Sequence, residues 1–138
     1  MDQSRRKFIC QSLCAVAAGA AATVMPVIAG AENTANEVPA YPYPYKELDP
    51  AMAEKIAYEG YFENGCCYGV AKGLLAELRE KVGYPYTVIP AEMFANGKEG
   101  YTCGTLCGAL GGAVGVIGLC CGPDDSRELV KKLFAWYT

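Results

Sequence analysis

Eight cysteines and no histidine stand in a chain of 138 residues. Sulfur is therefore the soft ligand and the nucleophile on offer. Without imidazole there is no His general base, no His-containing zinc or copper site, and no CxxCH haem attachment with its axial His. Six cysteines lie beyond the first thirty residues: the pair Cys66-Cys67, then Cys103 and Cys107 four apart, then the pair Cys120-Cys121. There is no CxxC, so spacing points neither to thioredoxin chemistry nor to a zinc ribbon. Nor does the sequence show paired carboxylates, a Ser/His/Asp set, a phosphate-cradling loop or a nucleotide fingerprint, and no enzyme reaction is assigned.

The first pair follows the Asn64-Gly65 break and opens a helical pattern. A helix N-terminus has unpaired N–H groups and the positive end of the dipole, which stabilise thiolate and lower a thiol's pKa. Thiolate is the form that attacks disulfides or binds metal. Consecutive helical residues are about 100° apart, so Cys67 belongs to the apolar stripe and Cys66 points to one side, whereas Cys103 and Cys107 share a face if helical. Were Cys103 to Cys121 one continuous helix, its ends would be roughly 27 Å apart. Two groupings follow: Cys66-Cys67 meets Cys103 and Cys107 if the helices run parallel, or Cys120-Cys121 if they run antiparallel. A break at Gly115 or Gly118 would relax that choice. Three disulfides, or inert packing of some thiols in a helical core, account for the same cysteines.

The elements that must carry these residues are helical. Ser4-Arg5-Arg6-Lys7-Phe8-Ile9, an apolar Ala-rich stretch from Cys10 to about Ile28, and Ala29-Gly30-Ala31 are the parts of a twin-arginine export signal, with Arg5 and Arg6 as its motif. Cleavage after Ala31 removes Cys10 and Cys14 and leaves no permanent membrane anchor. Residues 32–48 carry Pro42 and Pro44 among Tyr41, Tyr43 and Tyr45, an extended Pro/Tyr-rich arm. Residues 49–138 form the domain. Asp49-Pro50 starts a helix with Ala53, Ile56, Ala57, Gly60 and Tyr61 on one face. Cys67, Val70, Ala71, Leu74, Leu75, Leu78 and Val82 then recur at helical spacing up to the stop at Gly83.

Pro85 and Pro90 bracket a short extended piece, and Pro90 to Asn96 reads as one or two helical turns closed by Gly97. The uncharged run from Gly104 to Cys121 reads as a buried helix, with Gly104, Gly108 and Gly112 as a smooth strip for close packing. Asp125 and Glu128 form a capping box for a last helix, whose apolar surface comes from Leu129, Val130, Leu133, Phe134, Trp136 and Tyr137. The expected fold is all-α, a single small bundle of about five helices. With the signal removed no basic patch survives and the net charge stays negative, so nucleic acid is not an expected partner.

Cys107-Gly108-Ala109-Leu110-Gly111-Gly112, continued by Ala113 to Leu119, resembles the CGAxxG element of the C-GCAxxG-C-C family of redox proteins. Gly65-Cys66-Cys67-Tyr68-Gly69-Val70, Gly104-Thr105-Leu106-Cys107 and Leu133-Phe134-Ala135-Trp136-Tyr137-Thr138 resemble more narrowly the N-terminal region of split-Soret cytochromes c. The similarity runs from about Lys55 to the end. It implies redox activity through cysteine, and the cytochrome branch is exported, dimeric and associated with haem and an iron–sulfur centre. Cys66 with Cys67, and Cys107, match the first two cysteine blocks. Ser126-Arg127-Glu128-Leu129 stands where the family often has Cys before Arg-Glu-Leu, so Cys103, Cys120 and Cys121 are additions or replacements.

The sequence therefore carries three expectations. The first is a protein exported to the periplasm or cell exterior that transfers electrons through an iron–sulfur cluster. Its ligands are Cys66, Cys67 and Cys107 with Cys103 or one of Cys120 and Cys121, it holds no haem, and it works with a redox partner protein and as a homodimer. The second is a thiol–disulfide redox protein using the same cysteines without metal. The third is a non-catalytic interaction module stapled by disulfides.

Overall fold

A computed structural model describes residues 38–138. The expected export signal with Arg5 and Arg6 lies outside the described residues. Four α-helices carry the chain: α1 (Pro50–Asn64), α2 (Cys66–Lys81), α3 (Gly108–Cys120) and α4 (Pro123–Tyr137). Between α2 and α3 run 3-10 turns at Tyr86–Val88 and Ala91–Gly97 and a π turn at Gly100–Gly104. The fold is all-α, and among the described residues there is no strand.

Helix α1 begins as the Asp49-Pro50 pair requires. The Asp49 carboxylate accepts from the amides of Ala51 at 2.9 Å and Met52 at 3.4 Å, and Pro50 needs no partner for its nitrogen. The cap is itself tied to α2, because the Asp49 amide donates to the buried Glu77 carboxylate at 2.8 Å and Lys81 pairs with that carboxylate at 3.1 Å. Packing of α1 on α2 depends on missing side chains. A methyl at Gly69 would meet the Ala57 carbonyl at 2.6 Å and the Tyr61 amide at 2.7 Å, and one at Gly73 would press on Ala53 and on the Ala57 methyl at 2.9 Å.

Helix α2 is the centre of the bundle. Its Tyr68, Ala71, Leu75 and Leu78 form the core with Tyr86, Ala91 and Val116. Gly83, at φ 86°, closes it in the left-handed conformation that a helix end favours. The segment between Pro85 and Pro90 turns instead of extending. Burial of the Tyr86 ring draws it inward, and the Arg79 guanidinium donates to the carbonyls of Tyr86 and Ile89.

Helix α3 is shorter than the uncharged run predicts. It starts at Gly108, and Gly104 lies in the preceding turn at φ 65°, facing open space. The helix-packing strip is therefore Gly108 and Gly112, which abut Cys67 and Ala71 of α2, while Gly111 faces Tyr101 and Gly115 faces Phe94. The break comes from Glu99, Tyr101 and Thr102, all left-handed at φ 57–60° with Gly100 between them. No L-residue helix can pass through such a stretch, whose cost is roughly 1–2 kcal/mol per non-Gly residue.

Residues 38–48 form no helix and run past the C-terminal end of α3. The Tyr43 amide donates to the Leu119 carbonyl at 3.0 Å, and the Tyr41 hydroxyl is 3.0 Å from the Gly118 carbonyl and 2.7 Å from that of Cys121. These are carbonyls a helix end leaves without intrahelical partners. Helix α4 starts one turn earlier than a capping box at Asp125 would place it: Gly122 is the N-cap, Pro123 opens the helix, and Asp124 and Asp125 fall in its first turn. No α4 residue is fully buried, although its apolar face is well formed.

Candidate functional site

Cys66 is the first residue of α2, and Cys107 is the N-cap of α3. The two helices run side by side in the same direction: Gly108 abuts Cys66 and Cys67, and four residues on Gly112 abuts Cys67 and Ala71. A methyl at Gly108 would meet the Cys66 Sγ at 2.6 Å and the Cys67 Cβ at 3.2 Å. This parallel arrangement brings the N-terminal ends of two helices, each the positive end of a dipole, to one cluster of thiols.

The three thiols differ in environment. Cys67 is buried, 1% exposed, with its sulfur against Gly97. Burial pushes its pKa up, partly offset by a hydrogen bond from the Tyr101 phenol, and the neighbouring Cys66 and Cys107 push it further up. Cys107 goes the other way. The Tyr137 phenol, donating to the thiolate, holds its pKa below the ordinary thiol value, opposed by burial and aided by the amides of Leu110 and Ala109 in the first turn of α3. Helix-terminus activation, expected at the first pair, does not reach Cys67, whose sulfur is packed in the core, while at Cys107 the amides of α3 add to the larger effect of the Tyr137 phenol.

Cys66 is half-buried at the floor of two surface depressions. One, of about 390 Å³, is bounded by Tyr61, Phe62 and Lys98, and the other, of about 440 Å³, by Glu54, Tyr58 and Ala109. Tyr58, Tyr61 and Phe62 form an exposed aromatic patch at their edge, stacked edge-to-face at 5.1 and 5.3 Å between centroids.

The remaining cysteines lie outside these two helix N-termini. Cys103 is exposed in the left-handed turn and shares no helical face with Cys107. Cys120 and Cys121 sit at the far end of α3, which spans 13 residues and hence about 20 Å. Cys120 is 3.4 Å from the Tyr86 hydroxyl, and burial raises its pKa. All six cysteines among the described residues are unbridged.

Sequence reasoning missed the phenols of Tyr101, Tyr137 and Tyr86, each beside a thiol. Tyr137 reads in sequence as one more apolar residue of the last helix, and nothing in its spacing from Cys107 marks the contact. The donor set of Cys66, Cys67 and Cys107 fits a soft metal in type and charge, since thiolates at two helix N-termini are the ligands iron and sulfide centres use. Among the described residues no three Cys, Asp or Glu side chains are gathered closely enough to grip a single ion.

A family profile described as "Putative redox-active protein (C_GCAxxG_C_C)" matches residues 66–138, the stretch from the first thiol pair through Thr138. The chain is 37% identical over 97 residues to split-Soret cytochrome c of Desulfovibrio desulfuricans, an alignment that covers 68% of this chain and 34% of that protein. The solved structure of split-Soret cytochrome c from that organism, described as containing a novel iron centre, superposes with a TM-score of 0.65 at 35% identity, over 69% of this chain and 41% of the other. The chain thus spans a third to two-fifths of the relative it matches.

Proposed function

Since the chain belongs to the redox-active C_GCAxxG_C_C family, we propose that it is an exported electron-transfer protein that holds an iron–sulfur cluster on Cys66, Cys67 and Cys107. The observation that carries this reading is the convergence of the three cysteines on the parallel N-terminal ends of α2 and α3. Two helix dipoles and the first-turn amides of α3 stabilise the negative charge that thiolates and a sulfide-bridged cluster bring. When bound, such a cluster supplies one-electron transfer.

The protein's own groups do the rest. Burial of Cys67 keeps water from one side, Tyr101 and Tyr137 donate to sulfur and favour the reduced, more negative state, and the half-buried Cys66 opens toward the surface. The aromatic patch of Tyr58, Tyr61 and Phe62 beside Cys66 is the side from which a partner protein would exchange electrons. Haem has no part in this reading, since the chain holds neither histidine nor CxxCH. The iron centre of the relative, and the 35% identity over the shared region, support the assignment.

Anaerobic purification followed by iron and sulfide analysis and a visible spectrum tests it. The expected result is a coloured protein with iron and sulfide in comparable amounts, lost in Cys66→Ser, Cys67→Ser and Cys107→Ser and retained in Cys103→Ser and Cys121→Ser. One observation favours a second reading. A thiol of lowered pKa, Cys107, beside a protonated one, Cys67, is the pairing a thiol–disulfide protein uses. A colourless protein that titrates reversibly with two electrons, with Cys107 bridged to Cys66 or Cys67 when oxidised, would replace the cluster by that chemistry.

A further inference from the structure

At the end of the bundle remote from the Cys66 cluster, a groove of about 730 Å³ lies between α2, α3, α4 and the N-terminal arm, which contributes Tyr45 and Leu48. Its volume is within the ~300–1,000 Å³ usual for small-molecule sites. Leu74 and Leu78 of α2, Val116 and Ile117 of α3, and Leu129 and Leu133 of α4 make its walls. Trp136, the only tryptophan in the chain, stands at the rim 81% exposed, and Leu129 is 42% exposed. The apolar face of α4 thus lines the groove without filling it, which explains why that helix has no fully buried residue.

The charge pattern selects the occupant. No Asp or Glu lines the groove, and its one charged residue is Lys132 on α4. The neighbouring Lys131 is paired with Glu128 at 2.7 Å, whereas Lys132 makes no ion pair among the described residues. An exposed, unpaired lysine on the lining of an otherwise uncharged groove complements a molecule that is apolar along its length and anionic at one end. We propose that this groove binds a single-chain amphipathic anion of the fatty-acid class, acyl chain inward against the leucines and Trp136, carboxylate at Lys132. The thiols of Cys120 and Cys121 lie in the same groove and would be covered by the chain. This site is independent of the cysteine cluster at the other end of α3.

The experiment titrates the full chain with dodecanoate, below its micelle concentration, and reads Trp136 emission, with dodecanol as the uncharged probe of equal length. Dodecanoate should shift the emission to the blue, bind about tenfold more tightly than the alcohol, and slow maleimide alkylation of Cys120 and Cys121 but not of Cys103, as read peptide by peptide. Lys132 is exposed, so Lys132→Gln leaves the fold intact; it should bring the carboxylate down to the affinity of the alcohol, and raised salt should do the same. Cys66→Ser should bind unchanged, which separates this site from the cluster. Equal binding of acid and alcohol, or unaltered affinity in Lys132→Gln, overturns the proposal. So does a concentration-dependent blue shift without ligand that tracks dimer formation, which would assign the groove to a second copy of the chain.

Discussion

Cys107 and Cys67 show how far two thiols a few residues from helix starts can diverge. The Tyr137 phenol donates to one and lowers its pKa, and burial raises the other. Tyr137→Phe removes the donor, so the pH at which Cys107 reaches half its maximal alkylation rate should move upward toward that of an ordinary thiol. Following iodoacetamide labelling of the Cys107 peptide in the metal-free protein between pH 6 and 10 checks this, and an unchanged profile would mean that the α3 amides alone set the value. The reverse signature belongs to Tyr101→Phe, which should push Cys67 higher still, since its one compensating hydrogen bond is lost. None of the three phenols could be picked out in sequence, because a tyrosine's partner lies on another element, 30 or more residues away in each case.

Among the elements, the α1–α2 pair has the least tolerance. Gly69 and Gly73 bring the α2 backbone against Ala57, Tyr61 and Ala53 with no room for a methyl. In an ordinary exposed helix Gly→Ala would stabilise slightly. Here Gly69→Ala and Gly73→Ala should each destabilise by about 1–3 kcal/mol through overpacking, read as a lower midpoint in urea with an unchanged slope. Glu77→Ala should cost about 2 kcal/mol, because it leaves the Asp49 amide without its acceptor. Helical periodicity made α2 legible almost to the residue, and the Asp49-Pro50 cap did the same for α1. The start of α3 was not legible: an uncharged glycine-rich run has no local signal for where it leaves the helix, and the left-handed turn at 99–102 uses Glu, Tyr and Thr, residues that do not announce such a conformation.

For the whole molecule, Tyr86 is the fastening between the N-terminal arm and the bundle. Its hydroxyl donates to the Pro44 carbonyl at 2.8 Å and lies beside Cys120, its ring meets Tyr43 edge-on at 6.2 Å, and burial raises its pKa well above the ordinary 10.0. An unfolded chain ionises this phenol near pH 10, and the folded one keeps the proton. The stability it contributes is therefore complete below pH 10 and is lost as pH rises beyond it. The melting temperature should fall steeply above pH 10, and Tyr86→Phe should flatten that fall while lowering stability at neutral pH through the lost hydrogen bond to Pro44.

The sequence by itself determined an all-α bundle, its cap and stop signals, and a cysteine-based redox family, because helical period, capping residues and the CGAxxG block are local patterns readable along the chain. It left open which cysteines meet. That depends on whether α2 and α3 run parallel or antiparallel, a choice made by contacts between residues some forty positions apart. With Gly108 against Cys66 and Gly112 against Ala71, the helices are parallel, Cys107 joins the first pair, and Cys120-Cys121 is carried to the far end. Only the tertiary structure could decide this, since reversing the direction of α3 would keep every local preference and exchange one set of thiols for the other.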